Sequence, residues 1–242
     1  MSDTWITDVE SKMKKFAQQH GIVFKQTARQ VSASFEIGCF HALTEFYSKD
    51  FTLKPQNLND AGEYRYLTTP GGNPVNFSFV RLEAADYNYE LRQQVRICSH
   101  LHADISVTPD LVVIVEGTQV QAEKRNDYAS GKRSFFFVES TAVVAAHECK
   151  SMSPFPELLV GYIGMLMATH AWLDIQPPAF LLGDTGRHLA PSLFVGGDAR
   201  GIHLKMIAAL EKTYPMNVIV GLHTGTWSLL GGRKLKRLEH AS

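Results

Sequence analysis

The sequence predicts an α/β protein built on a mixed central β-sheet flanked by helices. Three observations carry that prediction: an early amphipathic helical stretch, four strand-like segments between residues 75 and 148, and a closing strand–helix–strand run over residues 192–222. At roughly 150 residues per domain, the 242-residue chain amounts to about 1.6 domains, that is, one large domain or one with an elaborated edge. Its 45% hydrophobic and 20% charged content is that of a globule and excludes disordered, collagen-like and coiled-coil classes.

Each element has its own signal. Trp5, Ile6, Val9, Met13 and Phe16 recur at helical spacing with lysines opposite, giving a leading helix over 5–19. Val31, Phe35, Cys39, Leu43 and Phe46 form one stripe of a second helix from about Gln30 to Tyr47, with Glu36 beside it. From Ser48 to Asn76 the Pro, Gly and Asn clusters predict a long irregular connection, read as surface elaboration. Strands follow at Val75 to Leu82, Tyr89 to Ile97, Ile105 to Val115 and Ser134 to Glu148, and the run Ala142 to Ala146 suits a strand buried on both faces. A polar loop over Glu116 to Lys132 separates the last two.

Ser153-Pro154-Phe155-Pro156-Glu157 is helix-start chemistry, predicting an apolar helix through about Leu173. In it Gly161 and Gly164 allow close approach to a sheet, and Met165, Met167 and Trp172 read as core. Ser192 to Val195 (strand), Arg200 to Tyr214 (helix) and Asn217 to Leu222 (strand) predict a parallel crossover.

Twenty-four Lys and Arg balance twenty-four Asp and Glu. A polyanionic partner therefore has to be held by local patches or by bound metal, since the whole molecule has no positive field. The local patches are Lys124, Arg125, Lys132 and Arg133 in the polar loop, and the tail Arg233 to Arg237, expected to be exposed. Cys39, Cys98 and Cys149 include no CxxC pair and read as free thiols in a reducing compartment. Without a basic start and apolar stretch at the N-terminus, and with Leu158 to Thr169 as the longest apolar segment, the expectation is a cytoplasmic protein with no membrane association.

Pro109-Asp110 leads into the apolar run Leu111 to Val115, and Glu148-Cys149-Lys150 closes the next strand. Strand positions i and i+2 share a face, so Glu148 and Lys150 project together while Cys149 points away, as a small buried hydrophobe. With Asp110 on the neighbouring strand, two carboxylates and an ammonium would share one pocket. Hard divalent cations take such oxygens, and an ammonium beside them orients an attacking water, helps deprotonate it, or stabilises transition-state charge. Phosphodiester hydrolysis fits that set better than acyl or glycosyl transfer. The spacing by itself is common: Glu10-Ser11-Lys12 repeats it on a helix. Of the other polar residues, Glu90 reads as a solvated strand residue and His147 as a satisfied or surface histidine facing away from Glu148. His100, His102 and Asp104 lie in a turn without a second ligand pair.

On Pro109-Asp110, Glu148-Cys149-Lys150 and the element order, the chain resembles the restriction-endonuclease-like, or PD-(D/E)XK, nuclease superfamily. The resemblance covers about residues 30–222. It implies a single domain over 1–242: an N-terminal helical extension of about 1–29, a core in α-β-β-β-α-β order with an inserted irregular segment, and a basic tail over 223–242. It further implies that Asp110 and Glu148 bind Mg²⁺, or Mn²⁺ in its place, and that Lys150 serves the attacking water. Glu36 joins the metal by position, with Glu45 as the competing candidate. The implied function is a metal-dependent nuclease, an endonuclease acting on DNA as a restriction or defence effector, with Lys124, Arg125, Lys132 and Arg133 gripping phosphates. Two alternatives stand beside it: an inactive platform of the same fold that binds nucleic acid or a partner, and a nuclease held off until a signal or homo-oligomer assembles it. The 37 residues between Asp110 and Glu148 are long for the family.

Overall fold

A computed structural model describes residues 31–85, 87–122, 135–171, 188–224 and 235–238. The expected leading helix over 5–19, Trp172, and Lys124, Arg125, Lys132 and Arg133 lie outside the described residues.

The fold is α/β, with a mixed seven-stranded sheet in the order β1-β2-β3-β6-β9-β11-β12. Its strands are β1 (Thr52–Gln56), β2 (Phe79–Glu83), β3 (Asn88–Gln93), β6 (Leu111–Val115), β9 (Val143–Lys150), β11 (Ser192–Val195) and β12 (Asn217–Ile219). The pairs from β1 to β9 are antiparallel, and β9, β11 and β12 run parallel. The two parallel steps contain the helices α2 (Pro156–Thr169) and α3 (Ile202–Thr213), and the second is the crossover that the run over 192–222 predicts.

Three of the expected strands are each two strands in two sheets. β4 (Arg96–Cys98), β5 (Ser106–Val107), β7 (Gln121–Ala122) and β8 (Phe136–Glu139) form a second sheet in the order β5-β4-β8-β7, and β10 (His188–Leu189) pairs antiparallel with β13 (Arg237–Leu238). The breaks have local causes. Gln94 adopts φ +51° between β3 and β4, and a 3₁₀ turn over Ser140–Ala142 separates β8 from β9. Much of the long spacer between Asp110 and Glu148 is thus sheet-forming.

Helix α1 (Val31–Tyr47) covers one face of the large sheet, packing Phe35, Ile37, Cys39, Phe40 and Leu43 with Leu91, Leu111, Val113, Ala145 and Cys149. On the opposite face, Val112, Ile114, Val143 and Ala146 pack with Ile97 and Val138 of the small sheet, and α2 and α3 cover β11 and β12. Burying one such aliphatic side chain stabilises by roughly 1.5–3 kcal/mol. Among the described residues, no helix is long and apolar enough to cross a membrane.

Four expectations are corrected by this packing. The stretch from Ser48 to Asn76 is not mere elaboration: it contains β1, and Tyr64 and Leu67 are buried. Tyr64 stacks at 5.3 Å from the Phe40 ring and the Tyr66 hydroxyl lies 2.8 Å from His41 Nε2, so the segment roofs α1 and makes that helix buried on nearly every side. Gly161 and Gly164 face solvent, and a Cβ added at either meets nothing within 4 Å, so neither serves helix–sheet approach. Met167 is exposed on that same side of α2 while Met165 packs inward. At the chain end Lys236 donates from Nζ to the carbonyls of Glu211 and Tyr214, and Arg237 pairs with Asp50 at 3.1 Å, so these two tail cations are structural.

Candidate active site

The site is positioned by the register of β6 on β9: Leu111 pairs with His147 and Val112 with Ala146, which sets Asp110 opposite Glu148 where the two strands end. Between β6 and β9, Val113 pairs with Ala145 but Ile114 with Val143, leaving Val144 as one extra residue. Such a bulge reverses the in–out alternation for every residue that follows. Val143 packs toward the small sheet, Val144 and Ala145 toward α1, and Ala146 toward the small sheet again. Glu148 and Lys150 therefore project to the face opposite α1, while Cys149 is buried beneath α1 as the sequence predicts. Asp110 shares the parity of Val112 and projects to the same face from the start of β6.

The three side chains meet. Lys150 Nζ donates to Asp110 Oδ2 at 3.2 Å and lies 2.6 Å from Glu148 Oε1. Asp110 Oδ2 also accepts from the Cys149 backbone N–H at 2.8 Å, so the acid is fixed to the strand that carries the other two. Glu148 Oε2 is buried with no hydrogen-bond partner among the described residues. At this end of the sheet the Gly196 N–H donates to the Lys150 carbonyl at 2.8 Å. The His223 ring occupies the space a Cβ at Gly196 would need, which restricts that position to glycine.

Glu36 reaches the cluster from the second turn of α1. It is buried, accepts from Ser32 Oγ at 3.1 Å, and is joined to Asp110 through Gln94. Gln94 Nε2 donates to Glu36 Oε2 at 3.2 Å and to Asp110 Oδ1 at 2.8 Å, and its backbone N–H donates to the Asp110 carbonyl at 3.0 Å. Its left-handed backbone costs a non-glycine residue roughly 1–2 kcal/mol. Sequence reasoning missed Gln94. Its available signal was a pair of amides, Gln93-Gln94, closing a strand otherwise directed into the core.

Crowded carboxylates in a dry site resist ionisation. Burial, then the charge of Asp110, pushes Glu36 up to about 7 from 4.5. The same two causes raise Glu148, against the pull of Lys150. For Lys150 burial works against charge, but Asp110 and Glu148 outweigh it and hold the ammonium above its ordinary range.

The remaining candidates sort cleanly. Glu45 is exposed near the far end of α1, well away from the cluster. Glu90 is buried, not solvated, and pairs with Arg92 at 2.7 Å. His147 faces away from Glu148 as expected but is neither on the surface nor satisfied: it is buried 5.9 Å from the Phe194 ring, neither ring nitrogen has a hydrogen-bond partner among the described residues, and burial pushes it down to about 3. His102 and Asp104 are exposed and 3.9 Å apart in their turn. Among the described residues, no group of three or more His, Cys, Asp or Glu side chains is gathered in a ready metal-holding arrangement. At the Asp110 cluster the Lys150 ammonium lies between two of the acids. Comparison with protein-family models, curated proteins and solved structures finds no match.

Proposed function

We propose that this chain is a magnesium-dependent nuclease of the PD-(D/E)XK type that hydrolyses phosphodiester bonds, cutting DNA internally as a restriction or defence effector. The observation that carries the reading is the meeting of Asp110, Glu148 and Lys150 at the ends of two adjacent core strands, with Nζ 3.2 and 2.6 Å from the two acids. The order α1, β3, β6, β9, α2, β11 supports it, since this is the α-β-β-β-α-β sequence of that family's core.

The donor set suits a hard divalent cation. Asp110 and Glu148 offer carboxylate oxygens, Glu148 Oε2 is a buried acceptor without a donor among the described residues, and Glu36 adds a third acid from the other side. Asp110, Glu148 and Glu36 are the residues that would hold Mg²⁺, with Mn²⁺ able to replace it. Bound there, the ion supplies Lewis-acid stabilisation and lowers the pKa of a coordinated water.

The chain's own residues do the rest. Lys150, with Nζ 3.2 and 2.6 Å from the two acids, is placed to orient the attacking water or help deprotonate it, and to stabilise charge developing on the phosphoryl oxygens. The Cys149 N–H and Gln94 fix Asp110, so the acid is aimed before substrate arrives. Grip on the phosphate backbone is assigned to Lys124, Arg125, Lys132 and Arg133, whose contribution is tested by the salt dependence of binding.

The test is incubation with supercoiled plasmid, linear duplex, single-stranded DNA and RNA, each with and without Mg²⁺. Magnesium-dependent cleavage that Lys150→Ala removes is the expected result, and equal cleavage by both proteins would overturn the assignment of Lys150. A non-catalytic nucleic-acid platform is the competing reading, favoured by the ion pairs that Lys150 already makes with two acids. Calorimetry with Mn²⁺ separates the two: the enzyme binds the ion and loses it in Asp110→Ala, whereas a platform has no need to bind.

A further inference from the structure

We propose that Gln94 is a positioning residue for the ion: one amide nitrogen holds Glu36 and Asp110, from two different elements, as a single carboxylate pair. The inference rests on the metal-dependent reading above and deepens it.

Four observations support it. First, Gln94 Nε2 carries two hydrogens, and two carboxylate oxygens lie within reach, Glu36 Oε2 at 3.2 Å and Asp110 Oδ1 at 2.8 Å. The amide orientation is dictated by those partners, because the carbonyl oxygen turned the other way would face two acids. Second, the junction is buried, with Gln94 only 6% exposed, so water cannot replace it cheaply. Third, the residue sits at φ +51°, where Gly or Asn is the ordinary choice, so the side chain is retained against a backbone preference. Fourth, its backbone N–H is tied to the Asp110 carbonyl at 3.0 Å, which fixes the amide relative to the acid it serves.

The consequence for the acids is geometric. Asp110 Oδ2 is engaged by the Cys149 N–H and Lys150, and Oδ1 by Gln94 alone among the described residues. Without Gln94, no described contact would tie α1's carboxylate to the strand-borne acids, and Glu36 would keep only the Ser32 hydroxyl on its own helix. Partners of this kind, one bond removed from a metal, change affinity by roughly 10–100-fold when lost.

Calorimetric Mn²⁺ binding to the full chain tests this without any need for cleavage. Two variants are used: Gln94→Met keeps the volume and removes the donors, and Gln94→Gly suits the positive φ and guards against a variant that fails to fold. Each folded variant is expected to bind Mn²⁺ about 10–100-fold more weakly than the parent. In a Glu36→Met background the loss from Gln94→Gly should be clearly smaller than in the parent, because one of the two acceptors is gone. Parent-like affinity in both Gln94 variants, or an undiminished loss in the Glu36→Met background, overturns the positioning role while leaving the metal site standing. A parent that binds no Mn²⁺ overturns the metal-dependent reading itself, and this inference with it.

Discussion

Glu90-Leu91-Arg92 on β3 and Glu148-Cys149-Lys150 on β9 are the same pattern, an acid, a spacer and a base, on two strands of one sheet and directed to the same face. Their surroundings differ. Glu90 and Arg92 form a closed pair: Oε2 to Nε at 2.7 Å, the guanidinium 3.7 Å from the centre of the Phe79 ring, and the Gly117 N–H on the remaining Glu90 oxygen at 3.4 Å. One charge balances the other. Around Glu148 the count is three carboxylates, Glu36, Asp110 and Glu148, against one ammonium, a formal excess of two negative charges. Spacing is the same in the two places and the charge balance of the neighbourhood differs; on the proposed reading, the excess of buried acids is what a cation would balance.

Four substitutions sharpen or break that contrast. Arg92→Ala strands Glu90 in a dry environment, and we expect it to cost roughly 3–5 kcal/mol in urea unfolding, with the folded fraction cleaving at the parent's rate. Loss of turnover with intact stability would place Arg92 in the chemistry instead. Lys150→Ala is the mirror case, expected to lower kcat about 100-fold or more, equivalent to about 2.7 kcal/mol of transition-state stabilisation.

Glu36→Gln probes the excess charge through pH. The folded chain keeps the Glu36 proton from its ordinary pKa of 4.5 up to about 7, where the unfolded chain has released it. Without metal, stability therefore falls as pH rises through that window. Glu36→Gln should be more stable than the parent by on the order of 2 kcal/mol above the window, and the gap should close below it. A difference that stays constant across this range would contradict the burial of a displaced acid. The smallest effect is a control: Gly164→Ala, on the open face of α2 away from both pairs, should raise stability by about 0.5–1 kcal/mol and leave cleavage unchanged.

The sequence made the α/β class, α1, the apolar helix and the closing crossover legible, because each is written in local periodicity. It did not reveal the second sheet. Tyr89 to Ile97 reads as one strand, and nothing in the alternation marks the left-handed turn at Gln94 that sends β4 into another layer. The meeting of Asp110 with Glu148 and Lys150 was legible from adjacent strand ends, but the bulge at Val144 was not, since Val-Val-Ala-Ala is apolar in either register. Glu90 and His147 were misjudged for a common reason: each is polar on a strand, and only the tertiary layers decide that both are buried. Gln94 was missed because its role depends on a helix 58 residues away in the chain.

The most direct measurement pairs Glu148→Gln with Glu90→Gln in magnesium-dependent cleavage of supercoiled plasmid, with folding of both checked by circular dichroism. The first variant is expected to lose cleavage while the second keeps it. Equal activity in the two variants, or no cleavage of any nucleic acid by the folded parent with Mg²⁺ or Mn²⁺ present, would contradict that expectation.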